Sequence, residues 1–532
     1  MKEKVVHLIN KGKTSLGIEF GSTRIKAVLI DENNTVLASG YHDWENKFEN
    51  GLWTYSLDDV VSGMQNCYKS LATDVKNKYG ITLKTVGSIG ISAMMHGYLV
   101  FDKYDNLLTP FRTWRNNNAA PAAEKLSKLF NYHIPARWSV AHIYQAILNG
   151  EDHVKKIAFQ TTLEGWVHYL LTGKKVIGIG EASGMFPIDI DTKNYNEEML
   201  NKFDAVLKEN CLNYSYKSIL PKVLLAGDDA GKLTPDGASI LDVSGNLKSG
   251  IPLCAPEGDA GTGMVATNSV KVRTGNVSAG TSVFAMIVLE KELSKAYPEI
   301  DLVTTPSGNL VGMVHCNNCT SDLNAWVNIF SEFSALIGKE ISKGELFELL
   351  YKESEKGDKD CGGLLAYNYV SNEHITNVDE GRPAFLRTSE SKFTLANMMR
   401  AHLFSSLGAL KVGCDVLLKG EGVKVERITG HGGLFKTEKV AQSYLAAALN
   451  APVTVMKTAG EGGAWGIAVL ANYLINKNGK TLEEYLENDV FADTEGITLS
   501  PEVENVQGFE KFIERYENGL PIVRQAVQSF KD

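Results

Sequence analysis

The sequence predicts an α/β protein of two domains, and three observations carry that expectation. At 532 residues the chain is too long for one compact core, so two domains of roughly 200 to 280 residues are expected. A strand–turn–strand unit whose turn carries glycine and hydroxyls occurs twice, at 17–30 and 276–288, which suggests two related halves. Helix-period segments at 57–78 and 391–419 accompany strand-like runs at 85–92 and 425–429, a mixed α/β content. The boundary is placed at 268/269, giving domains 1–268 and 269–532.

The elements follow from local pattern. Residues 15–20 and 25–30 are apolar runs flanking Gly21-Ser-Thr-Arg24, a hairpin signal. A turn at Asp31-Glu-Asn-Asn34 leads to a third strand at 35–38. The spacing predicts an amphipathic helix over 57–78 and a strand over 85–92 that runs into Ala93-Met-Met-His-Gly97. The apolar, glycine-containing run 251–265 reads as a strand. Residues 277–288 repeat the hairpin around Gly280-Thr-Ser282. Helices are expected over 391–419, 438–450 and 464–475, the last fed by a glycine-punctuated loop, Thr458-Ala-Gly-Glu-Gly-Gly463.

Composition narrows the partners. A net charge of −9 argues against a nucleic-acid binder, which usually presents a basic face. An anionic cofactor remains compatible, because a nest of backbone N–H groups or a bound cation handles phosphates. Seven cysteines in so long a chain point to reduced thiols in a cytosolic setting. The close pair Cys316-Asn-Asn-Cys319 lacks a second pair at metal spacing, so buried free thiols are expected there. The N-terminal apolar run is broken by His7 and is too short for a signal-peptide core. No uninterrupted run approaches the ~18 apolar residues of a membrane helix. The expected location is the cytoplasm, with no membrane partner.

Several residue groups suit phosphate chemistry. Phosphates are bound by backbone N–H groups and hydroxyls in tight turns, where glycine permits close approach. Gly21-Ser22-Thr23 and Gly280-Thr281-Ser282 are two such turns, and Glu19, two residues before the first, can hold a cation through water. Asp259 lies in Glu257-Gly-Asp-Ala-Gly-Thr-Gly263, where flanking glycines let a ligand approach its carboxylate, and it is the candidate general base. Gly432-Gly433 follows the strand-like 425–429 and precedes a helix, a crossing at which a nucleoside can lie against backbone. A GxxxxGK[ST] loop and a strand–GxGxxG–helix fingerprint are both missing from the sequence, so P-loop and Rossmann mechanisms are disfavoured. Each group taken alone also has an ordinary structural reading: a turn, a core histidine, a tight crossover.

Taken in order, these motifs resemble the FGGY carbohydrate kinases of the actin/hexokinase/Hsp70 superfamily over about residues 15–475. Gly17-Ile-Glu-Phe-Gly-Ser-Thr-Arg-Ile-Lys26 is similar to the family's first phosphate motif, Gly280–Ser282 to its second, and Gly430-His-Gly-Gly-Leu434 to its adenosine motif. Asp259 falls where the family keeps its catalytic Asp, and Glu461-Gly-Gly-Ala-Trp-Gly466 resembles the glycine-rich loop beside the adenine. Met94-Met-His-Gly97 is similar to the Met-His-Gly of xylulokinases.

The resemblance implies two actin-like (ribonuclease H-like) domains with a nucleotide and sugar cleft between them, and ATP and Mg²⁺ as cofactors. It implies ATP binding by Gly21, Ser22, Thr23, Lys26, Gly280, Thr281, Ser282, Gly432, Gly433, Gly462 and Gly463, with the metal near Glu19. Met95, His96, Trp114 and Asn116 would meet the sugar, beside Asp259. Two departures stand out: Glu19 replaces the family's Asp, and Asn116 stands where xylulokinases carry an acid. The implied reaction is phosphorylation of a ketopentose, L-ribulose first, with D-xylulose, glycerol, gluconate or a deoxyketose as alternatives. A non-catalytic actin-like nucleotide switch is the alternative of another class. The oligomeric state stays open, a homodimer being compatible.

Overall fold

The computed structural model describes residues 2–456, 462–494 and 496–531. The chain forms two compact units that interleave in sequence: Met1–Lys271 with Asp301–Val311 and Thr458–Thr494, and Val272–Ile300 with Gly312–Lys457 and Glu495–Asp532. The second unit thus begins close to the expected 268/269 boundary, while two later segments return to the first.

The first unit is built on a mixed five-stranded sheet. Its first hairpin pairs Thr14–Phe20 antiparallel with Arg24–Asp31, which in turn pairs with Val36–Asp43. On the other side Thr14–Phe20 runs parallel to Ser88–Ala93, and that strand is parallel to Glu257–Gly258. The helix Leu57–Tyr79 covers one part of this sheet. Ser56 accepts a hydrogen bond from the Asp59 N–H at its start, and Gly80 ends it in the left-handed conformation (φ 74°). Its buried Val60, Met64, Cys67, Leu71 and Val75 recur at helical spacing and join the sheet's Ile18, Phe20, Ile25 and Leu29 in one core.

The run 251–265, expected as a strand, is a strand only at Glu257–Gly258; from Asp259 to Ala266 it is helix. A short apolar run with glycines has no period that separates the two. Here Gly258, in extended conformation, caps the helix and Asp259 takes its first turn, where the helix dipole favours a carboxylate.

The helix Gly462–Asn476 returns to the first unit and lies almost in backbone contact with its surroundings. A Cβ at Gly17 would overlap Ala464 O, and one at Gly90 would sit 2.6 Å from Ile467 O. Gly17 and Gly90 are register partners on adjacent strands, so together they form a trough free of side chains. On its other side, a Cβ at Gly466 would overlap Thr262 O of the Asp259 helix.

The second unit repeats the plan. Thr274–Ala279 pairs antiparallel with Val283–Val288 and parallel with Arg427–His431, which is parallel to Val453–Met456. A hairpin followed by two parallel neighbours is therefore common to both units, as the repeated motif anticipated. Leu395–Gly420 is long and apolar enough to cross a bilayer, but 78% of its apolar window is buried. It carries Arg400 and Lys411 inside the unit. Arg400 donates to Gly357 O (3.0 Å), and Lys411 pairs with Asp415 (2.6 Å) and Glu510 (2.9 Å). These are the marks of a core helix. All seven cysteines are free thiols and only Cys211 is exposed; burial pushes the Cys319 thiol up to about 12.

Gly17→Ala tests the trough. It should lower the thermal midpoint through an overpacking cost of about 1–3 kcal/mol. Gly344→Ala, inside the helix Lys343–Ser354 where an added Cβ meets nothing, should hold the midpoint or raise it slightly.

Candidate active site

The first hairpin turn is tight because Gly21 N–H donates to Arg24 O (3.0 Å). Its carbonyls are engaged by aromatic side chains: Trp44 Nε1–H donates to Gly21 O (2.7 Å), Trp44 N–H to Thr23 O (3.2 Å) and the Tyr55 hydroxyl to Ser22 O (2.6 Å). Trp44 and Tyr55 are themselves stacked at 4.2 Å. The turn is left with N–H and hydroxyl donors, the chemistry that receives phosphate oxygens.

Glu19 sits at the end of the preceding strand, half-buried and opposite Lys26 in the register. Its Oε2 accepts the Ala464 N–H (3.1 Å) at the start of Gly462–Asn476. Gly463 makes this close approach feasible, since a Cβ there would overlap Glu19 Oε1. Burial, aided by the negative charge of Asp259, pushes the Glu19 carboxyl up to about 7, against the pull of Ala464 N–H and Lys26. Of the last glycine-rich loop, Gly462 and Gly463 are seen at the head of that helix; Thr458–Glu461 lie outside the described residues.

Asp259 Oδ1 accepts the Met95 N–H (3.0 Å), so the structure brings the candidate base and the Met-His-Gly loop together. The side chain is exposed to solvent, yet protein crowded around it raises its pKa above the ordinary carboxylate value, while Met95 N–H and the helix N–H groups oppose the shift. The loop is held in an unusual conformation, with φ of 72° at His96 and 124° at Gly97. His96 is 4% exposed, and its ring lies 6.5 Å from Trp138 in a stacked arrangement, with Nδ1 3.3 Å from Gly184 O. Burial, and then the charge of Arg137, drives the imidazole down to about 3, so at neutral pH it is an uncharged hydrogen-bonding group.

The segment carrying Trp114 and Asn116 runs beside the loop, since Tyr98 and Arg112 exchange backbone hydrogen bonds. Trp114 is exposed, 37% accessible. Asn116 is buried and turned onto the chain itself: its Oδ1 accepts Trp53 N–H (2.9 Å) and its Nδ2 donates to Trp53 O (2.8 Å) and Thr113 O (3.0 Å). The adjacent Arg115 guanidinium lies 3.7 Å from the centre of the Trp53 ring.

In the second unit, the turn at Gly280–Ser282 repeats the logic of the first. Gly280 N–H donates to Ser282 O (2.9 Å), and the turn carbonyls accept from Thr320 N–H (3.1 Å), the Thr320 hydroxyl (2.7 Å) and Cys319 N–H (3.0 Å). Gly432 and Gly433 are exposed where Arg427–His431 gives way to a short 3₁₀ turn and then the helix Val440–Leu449. Gly432 adopts φ 102°, and a Cβ there would overlap Ala279 O. A side chain is thus excluded where backbone is presented.

Residues 14–266 match the N-terminal domain of the FGGY family of carbohydrate kinases, and residues 275–475 match its C-terminal domain. The chain belongs to the FGGY family of carbohydrate kinases. It is 23% identical over 513 residues to the xylulose kinase of Haemophilus influenzae, covering 94% of this chain and 98% of that one. A ligand-bound xylulose kinase from Lactobacillus acidophilus superposes with a TM-score of 0.77 at 16% identity, over 97% and 98% of the two chains. The glycerol kinase of Plasmodium falciparum with ADP gives 0.74 at 17%, over 94% and 98%. The protein is accordingly an ATP-dependent carbohydrate kinase with the two-domain, actin-like α/β fold.

The kinase also holds three carboxylates that sequence reasoning missed. Glu257 accepts the N–H groups of Gly180 (3.2 Å) and Glu181 (3.1 Å), capping the helix Ile179–Met185. Glu181 Oε1 accepts the His96 N–H (2.8 Å), and Glu164 accepts the Thr162 hydroxyl. All three are buried. Burial raises Glu257 to about 8; burial, with the charge of Asp259, raises Glu164, and burial, with the charge of Glu164, raises Glu181. The signal in the sequence is faint: each acid adjoins a glycine or sits one residue from one, in Leu163-Glu-Gly165, Gly180-Glu-Ala182 and Glu257-Gly258.

These raised pKa values make the fold pH-sensitive. A carboxyl that titrates at 4.5 when unfolded and near 8 when folded binds more protons in the native state. Its stabilisation is therefore complete below about pH 4.5 and is lost as pH rises towards 8, by about 1.4 kcal/mol per pH unit per group. The thermal midpoint should fall between pH 6 and pH 8.5, and Glu164→Gln should flatten that fall.

Proposed function

We propose that this kinase phosphorylates a ketopentose, with D-xylulose preferred over L-ribulose, and that Asp259 takes the proton from the acceptor hydroxyl. The observation that carries the reading is the 3.0 Å hydrogen bond from Met95 N–H to Asp259 Oδ1. It fixes the carboxylate against the loop that presents His96 and leaves Oδ2 for the substrate. The raised pKa of Asp259 makes it a better proton acceptor when ionised. L-Ribulose was expected from general resemblance and from no single residue; the near full-length relatedness to a protein named a xylulose kinase favours the other pentulose.

In this reading His96 is a neutral hydrogen-bond partner for a sugar hydroxyl or carbonyl, and Met95 and Trp114 are apolar surfaces. Asn116 acts one step back, holding the backbone of Trp53. The donors of Gly21–Thr23 and of Gly280–Ser282, with Lys26, receive phosphate oxygens, and Gly432, Gly433, Gly462 and Gly463 give the nucleotide access to backbone. The residues present fit a hydrated Mg²⁺: Glu19 has one oxygen engaged with Ala464 N–H and the other against Gly463, where a Cβ would fill the space. Such an ion, held through water by Glu19, would offset phosphate charge. The chain's own part is to aim Asp259, to keep His96 uncharged and to offer N–H groups where charge develops.

Asp259→Asn should lower kcat by about 10²–10⁴-fold in an ADP-coupled assay while ATP affinity stays within about twofold; retained turnover would sink the base assignment. A panel of D-xylulose, L-ribulose, glycerol, gluconate and a deoxyketose should give the highest kcat/KM for D-xylulose, and activity confined to glycerol would refute the pentulose reading.

A further inference from the structure

Two consecutive backbone N–H groups of the sugar loop are each held by a carboxylate: Met95 N–H by Asp259 (3.0 Å) and His96 N–H by Glu181 (2.8 Å). His96 is the residue in the left-handed region, at φ 72°, a conformation that persists only when its surroundings impose it. Ser139 helps by donating to Gly97 O (2.6 Å). Glu181 is the one partner that fixes the His96 N–H itself. It is in turn fixed by Glu257, which accepts the Glu181 N–H, and by Gly258, where a Cβ would overlap Glu181 Oε2.

We propose that Glu181 is a positioning residue for Asp259: by holding the His96 N–H it locks the Met95–His96 turn, which keeps the Met95 N–H on Asp259 Oδ1. The inference rests on the reading of Asp259 as the base. It gives the buried Glu181 a task in catalysis that goes beyond packing.

The protonation state of Glu181 follows from its neighbours. It faces Glu164 from the helix Leu163–Thr172, Asp259 and Glu257 from the adjoining strand and helix, His96 from the loop and Tyr195 from a short strand. Among the described residues, the titratable groups that act on Glu181 are all acids or neutral rings. Glu181 Oε2 and Glu164 Oε2 are both buried without a hydrogen-bond partner among the described residues. Ionising both would set two buried charges against each other, each with one oxygen unpartnered, which favours keeping a proton on the pair. A neutral Glu181 still accepts the His96 N–H through its carbonyl oxygen, and a glutamine supplies the same acceptor.

The test compares Glu181→Gln, Glu181→Ala and Glu181→Asp in the full chain, with D-xylulose and ATP as substrates. Glu181→Gln should keep kcat within about threefold of the parent. Glu181→Ala should lower kcat by about 10²-fold, the scale of a 1 Å misplacement, with the KM for ATP unchanged. The Met95 N–H bond lowers the pKa of Asp259, so loosening it should also move the acidic limb of kcat/KM to higher pH in Glu181→Ala and leave it in place in Glu181→Gln. Simple loss of folded protein would scale kcat without moving the limb. If Glu181→Ala does not fold, Glu181→Asp, one methylene shorter, should show the moved limb with a smaller fall in kcat. An unmoved limb in whichever shortened variant folds overturns the proposal, as does a glutamine variant that loses as much as the alanine one. The base reading fails separately, on turnover by Asp259→Asn, whatever Glu181 does.

Discussion

The geometry of the site depends on how closely one helix can approach a sheet. Gly462–Asn476 lies against Gly17 and Gly90 where neighbouring strands show bare backbone, and against Thr262 at its own Gly466. Packing at that distance sets the height of the helix above the sheet. It thereby decides whether the Ala464 N–H reaches Glu19, and where the Asp259 helix, seated on the same surface, begins. Had any of these glycines carried a methyl group, the two acids would be displaced relative to each other. A phosphoryl-transfer site tolerates little such displacement, because its catalysis is chiefly positioning and electrostatics.

The second organising fact is an excess of negative charge. Glu19, Glu164, Glu181, Glu257 and Asp259 all lie in the first unit, and each has its pKa raised by burial. Four of the five accept backbone N–H groups, from Ala464 for Glu19, His96 for Glu181, Gly180 and Glu181 for Glu257, and Met95 for Asp259, while Glu164 accepts the Thr162 hydroxyl. Backbone donors fix where each of these carboxylates sits. The hairpin turns show the complementary arrangement. Their carbonyls are occupied by Trp44, Tyr55, Cys319 and Thr320, which leaves donors for an anion.

Much of this was legible in the residues and some was not. Both hairpins could be read because a Gly-Ser-Thr or Gly-Thr-Ser turn between apolar runs is a local signal, and local signals survive folding. The helices expected over 57–78 and 438–450 are found at Leu57–Tyr79 and Val440–Leu449, the first announced by its apolar period. The run into Asp259 was misread as a strand because three glycines in the seven residues 257–263 erase periodicity. The three buried glutamates stayed hidden for a different reason: an acid beside a glycine looks like a surface turn until tertiary packing encloses it. Asn116 shows the limit of transferring a role by motif position, since its amide is committed to Trp53. The particular sugar was never in the sequence pattern, because a pentulose and its epimer differ by the direction of one hydroxyl.

The return of Gly462–Asn476 to the first unit also sets an order of events during synthesis. When the ribosome has released Met1–Lys271, the sheet, its covering helix and Asp259 are present, but the helix that fills the Gly17–Gly90 trough is still untranslated. For nearly two hundred residues of translation, the nascent first unit exposes a backbone-lined groove and an uncapped Glu19. The contact between the Ala464 N–H and Glu19 therefore forms only after most of the second unit has been made.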